Sequence, residues 1–181
     1  MKPITNWEDI PMSTEKSRLA AGGYVIKITE VKDEPAKEYL TITYDIAEGP
    51  EKGRYSDDWG KEHPYAHRFI RSYKETAKGM FKSFIGAVEA SNKGFDWLKA
   101  NWNETKLVGK LVGIVLGEEE YETDRGETKT RLYVRTVTSA DAIREGRYTV
   151  PELKKLAKKA DFSPAPEVSF GAPAADEDLP F

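Results

Sequence analysis

Arginine and aromatic side chains interleave in two stretches of this sequence. Such a mixture suits the binding of a single nucleic-acid strand, in which cationic groups follow the phosphate backbone while rings stack on bases. Between Lys129 and Thr138, period two places Arg131, Tyr133 and Arg135 on one face and Leu132 and Val134 on the other. Between Tyr65 and Tyr73 the same period groups His67, Phe69, Arg71 and Tyr73, with Arg68 and Lys74 close by. Pointing outward, this second face would meet a ligand; in the opposite register Phe69 and Tyr73 are buried. Tyr55 and Trp59 lie in the loop before it, where a ring either stacks on a base or plugs the body. Taken singly, each aromatic is equally an ordinary sheet residue, and the grouping is what favours contact with a single strand.

Other chemistry finds little support. His63 and His67 are the only histidines and the chain has no cysteine, so a zinc site would need carboxylates to complete it. Glu118, Glu119, Glu120 and Asp124 are too closely spaced along an extended chain to converge on one ion, because neighbours on a strand alternate faces. Gly109, Gly113 and Gly117 form neither a phosphate loop nor a dinucleotide fingerprint, and are expected to relieve crowding or bend a strand. A binding protein is therefore expected rather than an enzyme, with no catalytic residue, metal or cofactor.

The elements that must position these residues follow from periodicity. Tyr24 to Val31 alternates, with Tyr24, Ile26 and Ile28 on one face. Tyr39 to Ile46 alternates again, with Leu40, Ile42, Tyr44 and Ile46 together. The turn between them makes a hairpin. A third strand over 65–73 precedes a helix from about Ala77 to Ala90, in which Phe81, Phe84, Ile85 and Val88 recur at helical spacing. Phe95 to Asn103 is a connector whose Trp97 and Trp102 should plug the body. A second hairpin pairs Leu107–Tyr121 with Lys129–Thr138. Ser139 caps a short helix, and Thr149-Val-Pro-Glu152 reads as a capping box opening a last helix with Leu153, Leu156 and Ala160 on one side and Lys154, Lys155, Lys158 and Lys159 on the others. Three strands, a helix and two strands is the order of an OB-fold, a five-stranded, partly open barrel. Residues 1–20 form an N-terminal arm, 21–160 the OB-like domain with its appended helices, and 161–181 a disordered acidic tail.

The tail supplies the second clue. It ends Asp176-Glu177-Asp178-Leu179-Pro180-Phe181, after a linker rich in Pro and Ala and without positive charge. These six residues resemble the acidic tip of bacterial and bacteriophage single-stranded-DNA-binding proteins. The resemblance implies an OB-fold, sequence-tolerant binding of single-stranded DNA, and recruitment of replication, recombination or repair proteins through the tip. An apolar ring behind a short acidic run suits a pocket with basic surroundings. The body lacks the pattern of the usual bacterial members and looks closer to a phage or prophage version.

Composition is compatible with this reading. The chain has 181 residues and a net charge of -3, enough for one domain with appendages. Five of the 31 acids lie from Asp161 onward, where no Lys or Arg occurs, leaving 26 acids against 28 bases in residues 1–160. Body and tail thus differ in sign. Without cysteine, a leader-like start or a long apolar run, the expected setting is the cytoplasm of a bacterial host. Expected partners are single-stranded DNA and host or phage DNA-processing proteins, with room for a homodimer. An adaptor that holds such proteins without gripping DNA is the alternative.

Overall fold

The computed structural model describes residues 18–156 together with Thr5. Its elements run β1 (Gly22–Glu34), β2 (Tyr39–Ile46), α1 (Asp58–Glu62), β3 (Arg68–Ser72), α2 (Lys78–Ser91), β4 (Leu111–Glu122), β5 (Thr128–Thr138) and α3 (Ala140–Arg144). The strands form one antiparallel sheet in the order β3-β2-β1-β4-β5, which is not closed into a barrel. The molecule is mainly β, and β3 and β5 are the outer strands of the sheet.

Alternation places the core. Ile26 and Ile28 of β1, Leu40, Ile42, Tyr44 and Ile46 of β2, and Val112, Ile114 and Leu116 of β4 pack against Phe84, Ile85 and Val88 of α2. Each of these aliphatic side chains contributes about 1.5–3 kcal/mol by leaving water, the main reason the sheet and helix hold together. A bulge in β1 between Ile28 and Glu30 resets its alternation, bringing Val31 opposite Ile42.

Several boundaries differ from the sequence reading. β4 starts at Leu111, and the fully buried Leu107 belongs to the short 3-10 turn Glu104–Leu107 before it. Gly109 also precedes the strand, with φ +83. Trp97 is buried as expected, but Trp102 is 64% exposed. The largest correction concerns the last helix. Residues 149–156 run extended, and the remainder of that expected helix lies outside the described residues, as does the tail. The reason is the reach of β4. Its pairing with β1 ends at Leu116–Gly22, so the backbone of Glu118 to Glu120 has no β1 neighbour. Lys154 takes the place of one: its N–H donates to the Glu118 carbonyl at 3.0 Å and its carbonyl accepts from the Glu120 N–H at 2.9 Å. Satisfying two strand groups outweighs a capping box.

This strap and α3 cover the outer face of β4. A Cβ on Gly113 would stand 2.6 Å from the Ser139 carbonyl, and one on Gly117 would stand 2.6 Å from the Pro151 ring. These two glycines permit close approach of backbone and ring. Ser139 caps α3 as expected, accepting from the Ala142 N–H at 3.2 Å.

Asn92 fastens α2 to the sheet. Its side-chain amide donates to the carbonyls of Val88 and Leu111, at 2.7 and 2.8 Å, and its oxygen accepts from the Leu111 N–H at 3.0 Å. Removing it strands three partly buried backbone groups, so Asn92→Ala should lower unfolding free energy by about 2–4 kcal/mol in a urea titration. A loss below about 0.5 kcal/mol would contradict this role.

Candidate nucleic-acid interface

On β5, Arg131 and Tyr133 do share the outer face, opposite Glu119 and Gly117. Arg135 is the extra residue of a bulge: Val134 pairs with Leu116 and Thr136 with Val115, leaving Arg135 exposed without a direct cross-strand partner. The bulge also explains why Val134 and Val137, three apart, both pack on the core. The stripe is less open than its alternation implied. Arg131 binds the Glu119 carboxylate at 2.8 Å and lies 5.3 Å from the centre of the Tyr121 ring, while Lys154 reaches the same carboxylate at 3.4 Å. The hydrogen bond from Arg131 is the main cause holding Glu119 below the usual carboxylate range. Tyr133 is half-buried, its ring beside Pro151 over Gly117.

β3 settles into the register that faces inward. Phe69 pairs with Ile42 and Arg71 with Leu40, so both take the core-facing parity of β2. Phe69 is buried, 6.0 Å from Tyr44 and 6.1 Å from Phe84 between ring centres, and offers no face for a base. Arg71 is half-buried with its guanidinium 4.7 Å over the Phe69 ring, and burial pulls its pKa down. Tyr73 is half-buried, its hydroxyl donating to Asp33 at 2.8 Å; that bond chiefly pushes the phenol up to about 12. His67 is buried too.

The face that β3 turns outward carries Arg68, Ile70 and Ser72. It continues across β2 and β1 in three rows: Arg68–Thr43–Glu30, Ile70–Thr41–Lys32 and Ser72–Tyr39–Glu34. Ile70 is 53% exposed. Lys27, opposite Asp45, is exposed on the same side. Several charges are committed: Lys32 binds Glu34 at 2.6 Å, and Asp45 accepts from the N–H groups of Ile46 and Tyr55. Lys27 and Arg68 form no ion pair among the described residues. Sequence reading missed this face because Ile70 looks like a core residue; the fixed alternation of β2 was the signal that could have placed it.

At the end of the sheet where β2 stops and β3 begins, a ladder of rings runs from the core to the surface. His67 lies 4.4 Å from Tyr55, Tyr55 stacks at 6.5 Å on Trp59, and Trp59 stacks at 4.6 Å and 13° on His63, with Tyr65 edge-on to His63 at 5.6 Å. Trp59 is 51% and Tyr65 62% exposed. α1 positions these rings. Asp57 caps it by accepting from the Gly60 N–H at 3.0 Å, the helical spacing brings His63 onto the ring of Trp59, and any side chain at Gly60 would collide with the Tyr55 carbonyl. Trp59 was a candidate from the sequence; His63 and Tyr65 were not, although Trp59 and His63 are four apart.

No protein-family model matches this chain, and no curated protein does. Among the described residues no three His, Asp or Glu side chains are grouped to hold a metal ion, and no helix is long and apolar enough to cross a membrane.

The inner end of the ladder makes stability depend on pH. Burial lowers the pKa of His67 from the ordinary 6.5, only partly offset by Asp45, and its Nδ1 has no hydrogen-bond partner among the described residues. The folded ring binds its proton more weakly than the unfolded one, so protonation favours unfolding. This stability is present above pH 6.5 and falls as pH drops below that value. Thermal melts from pH 7.5 to 5 should show a steeper loss for the natural chain than for His67→Phe. Parallel curves would contradict it.

Proposed function

We propose that this protein binds single-stranded DNA without doing chemistry on it. The observation that carries the reading is the outer face of β1, β2 and β3, where Arg68 and Lys27 form no ion pair among the described residues and Ile70 is exposed, on a sheet that ends at the Trp59 and Tyr65 rings. Cations and Ser and Thr hydroxyls would follow phosphates and sugars, while Trp59 and Tyr65 would stack on bases. Arg131, Tyr133 and Arg135 serve as a secondary track on β5, Arg131 exchanging its Glu119 partner for phosphate. Phe69, Arg71 and Tyr73 act from beneath by fixing the parity of β3.

The fold we assign to this function is an OB-fold opened between β3 and β5. Its support is the order of elements, the central β1 pairing with both β2 and β4, and α2 inserted between β3 and β4 in sequence. The tip Asp176–Phe181 would recruit replication, recombination or repair proteins, as its resemblance to the tips of phage and bacterial single-strand binders implies. A second reading, an adaptor that does not grip DNA, draws on the charge balance of the face, where Glu30, Glu34 and Asp45 accompany Lys27, Lys32 and Arg68.

Fluorescence anisotropy of a labelled thymine oligonucleotide tests both readings. The full chain should bind with an affinity that falls steeply with salt, and removal of the last six residues should leave binding intact or stronger. Trp59→Ala with Tyr65→Ala should weaken it by at least about 30-fold, from roughly 1–3 kcal/mol for each of two lost stacks, with Arg131→Ala and Tyr133→Ala together doing less. Absence of binding at every salt concentration would leave the adaptor.

A further inference from the structure

An open groove of about 990 Å³ lies between α2 and the connector 95–104. Its walls include Phe81, Ile85, Phe95, Trp97, Leu98 and Trp102. Leu98 is 70% and Trp102 64% exposed. Large apolar side chains grouped in this way mark interaction surfaces. Three further features single the groove out. Asn101 and Trp102 both hold left-handed backbone, at φ +53 and +59, a conformation unfavourable for residues with side chains; it leaves the Trp102 ring exposed instead of packed in the core. Trp97 is almost fully buried, yet its indole N–H has no acceptor among the described residues.

The third feature is charge. Asp33, Glu89, Asp96 and Glu104 line the groove against Lys78 and Lys82. Lys78 is paired with Glu75 outside it, while Glu89 accepts from the backbone N–H of Trp97 and Asp96 is engaged with Lys99. That leaves Glu104 and Asp33 at the Tyr73 end without a cationic partner among the described residues, Asp33 accepting only from the neutral Tyr73 hydroxyl, with Lys82 as the remaining groove cation. The raised phenol of Tyr73 registers the negative field there: after the Asp33 hydrogen bond and burial, the charges of Asp33, Glu38 and Glu104 all push it upward. Such a rim repels a phosphate backbone and an acidic peptide, and attracts a cation.

We propose that this groove docks a short apolar segment of a partner protein that also carries a lysine or arginine. Its apolar side chains pack on Trp102, Leu98 and Phe81, and its cation sits between Asp33 and Glu104. The groove adjoins Tyr73, past the C-terminal end of β3, whereas Trp59 and Tyr65 precede its N-terminal end, so partner and DNA need not compete. Docking here does not require that DNA be bound elsewhere.

The test uses the full chain and two fluorescein-labelled hexapeptide amides of one Leu and Phe pattern, one bearing two lysines and the other two glutamates. The lysine peptide should bind saturably and at least tenfold more tightly. Glu104→Lys should abolish that preference, Trp102→Ser should weaken binding about tenfold, and a thymine oligonucleotide should not displace the peptide. Equal binding of the two peptides, tighter binding of the glutamate peptide or of a peptide copying residues 176–181, or indifference to both substitutions would overturn the proposal. Because Trp102 is exposed and Glu104 half-buried at the groove rim, the variants should remain folded, which thermal melts verify. Oligonucleotide affinity, measured on the same variants, should not change whether or not DNA is bound elsewhere.

Discussion

The parity of β2 is the constraint on which the rest of the structure depends. Leu40, Ile42, Tyr44 and Ile46 are committed to the core. A strand has only two faces, so every cross-strand partner of these residues must share their side. That single commitment sends Phe69 inward beside Ile42, pairs Ile28 with Tyr44 inside, and turns Arg68, Ile70, Thr41 and Lys32 to the outside. A slip of β2 by one residue would turn its apolar side chains out to water and its threonines into the core. The core therefore holds the molecule together and also selects which side chains a ligand can meet.

The long β4 imposes the second constraint. It extends past the start of β1, and its orphaned backbone groups draw the chain after α3 into an extended strap. The strap then lies over Gly117 beside Tyr133 and brings Lys154 to Glu119, so the chain partly covers its own basic stripe. The outer face of β4 is thereby largely committed to the protein's own chain, and so is the start of β1, where Tyr148 lies over Gly23 and Val25 is buried; the rows through Arg68, Ile70 and Ser72 lie further along β1 and across β2 and β3.

How far the sequence revealed this varied with the physics involved. β2, α2 and α3 were legible to within a residue or so because alternation, helical spacing and a serine cap are local signals. The direction of β3 was not, since Phe69 and Ile70 are both apolar and only pairing with Leu40 and Ile42 decides between them. The last helix was misread for a related reason: a capping box is visible in four residues, whereas the open edge beside Glu118–Glu120 exists only once β1 and β4 have paired. Trp59 could be named from its loop, but its partners His63 and Tyr65 emerge only with α1. The bulge at Arg135 left no sequence signal, and it changes which residues of β5 share a face.

Photo-crosslinking is the most direct test of the central claim that single-stranded DNA lies across the outer face of β1, β2 and β3. A thymine oligonucleotide irradiated in complex with the full chain would be mapped by mass spectrometry of the modified peptides. Adducts should concentrate at Trp59, Tyr65 and Tyr39. Adducts confined to Tyr133 and Tyr121, or a distribution no different from that of the heat-unfolded chain, would contradict the claim.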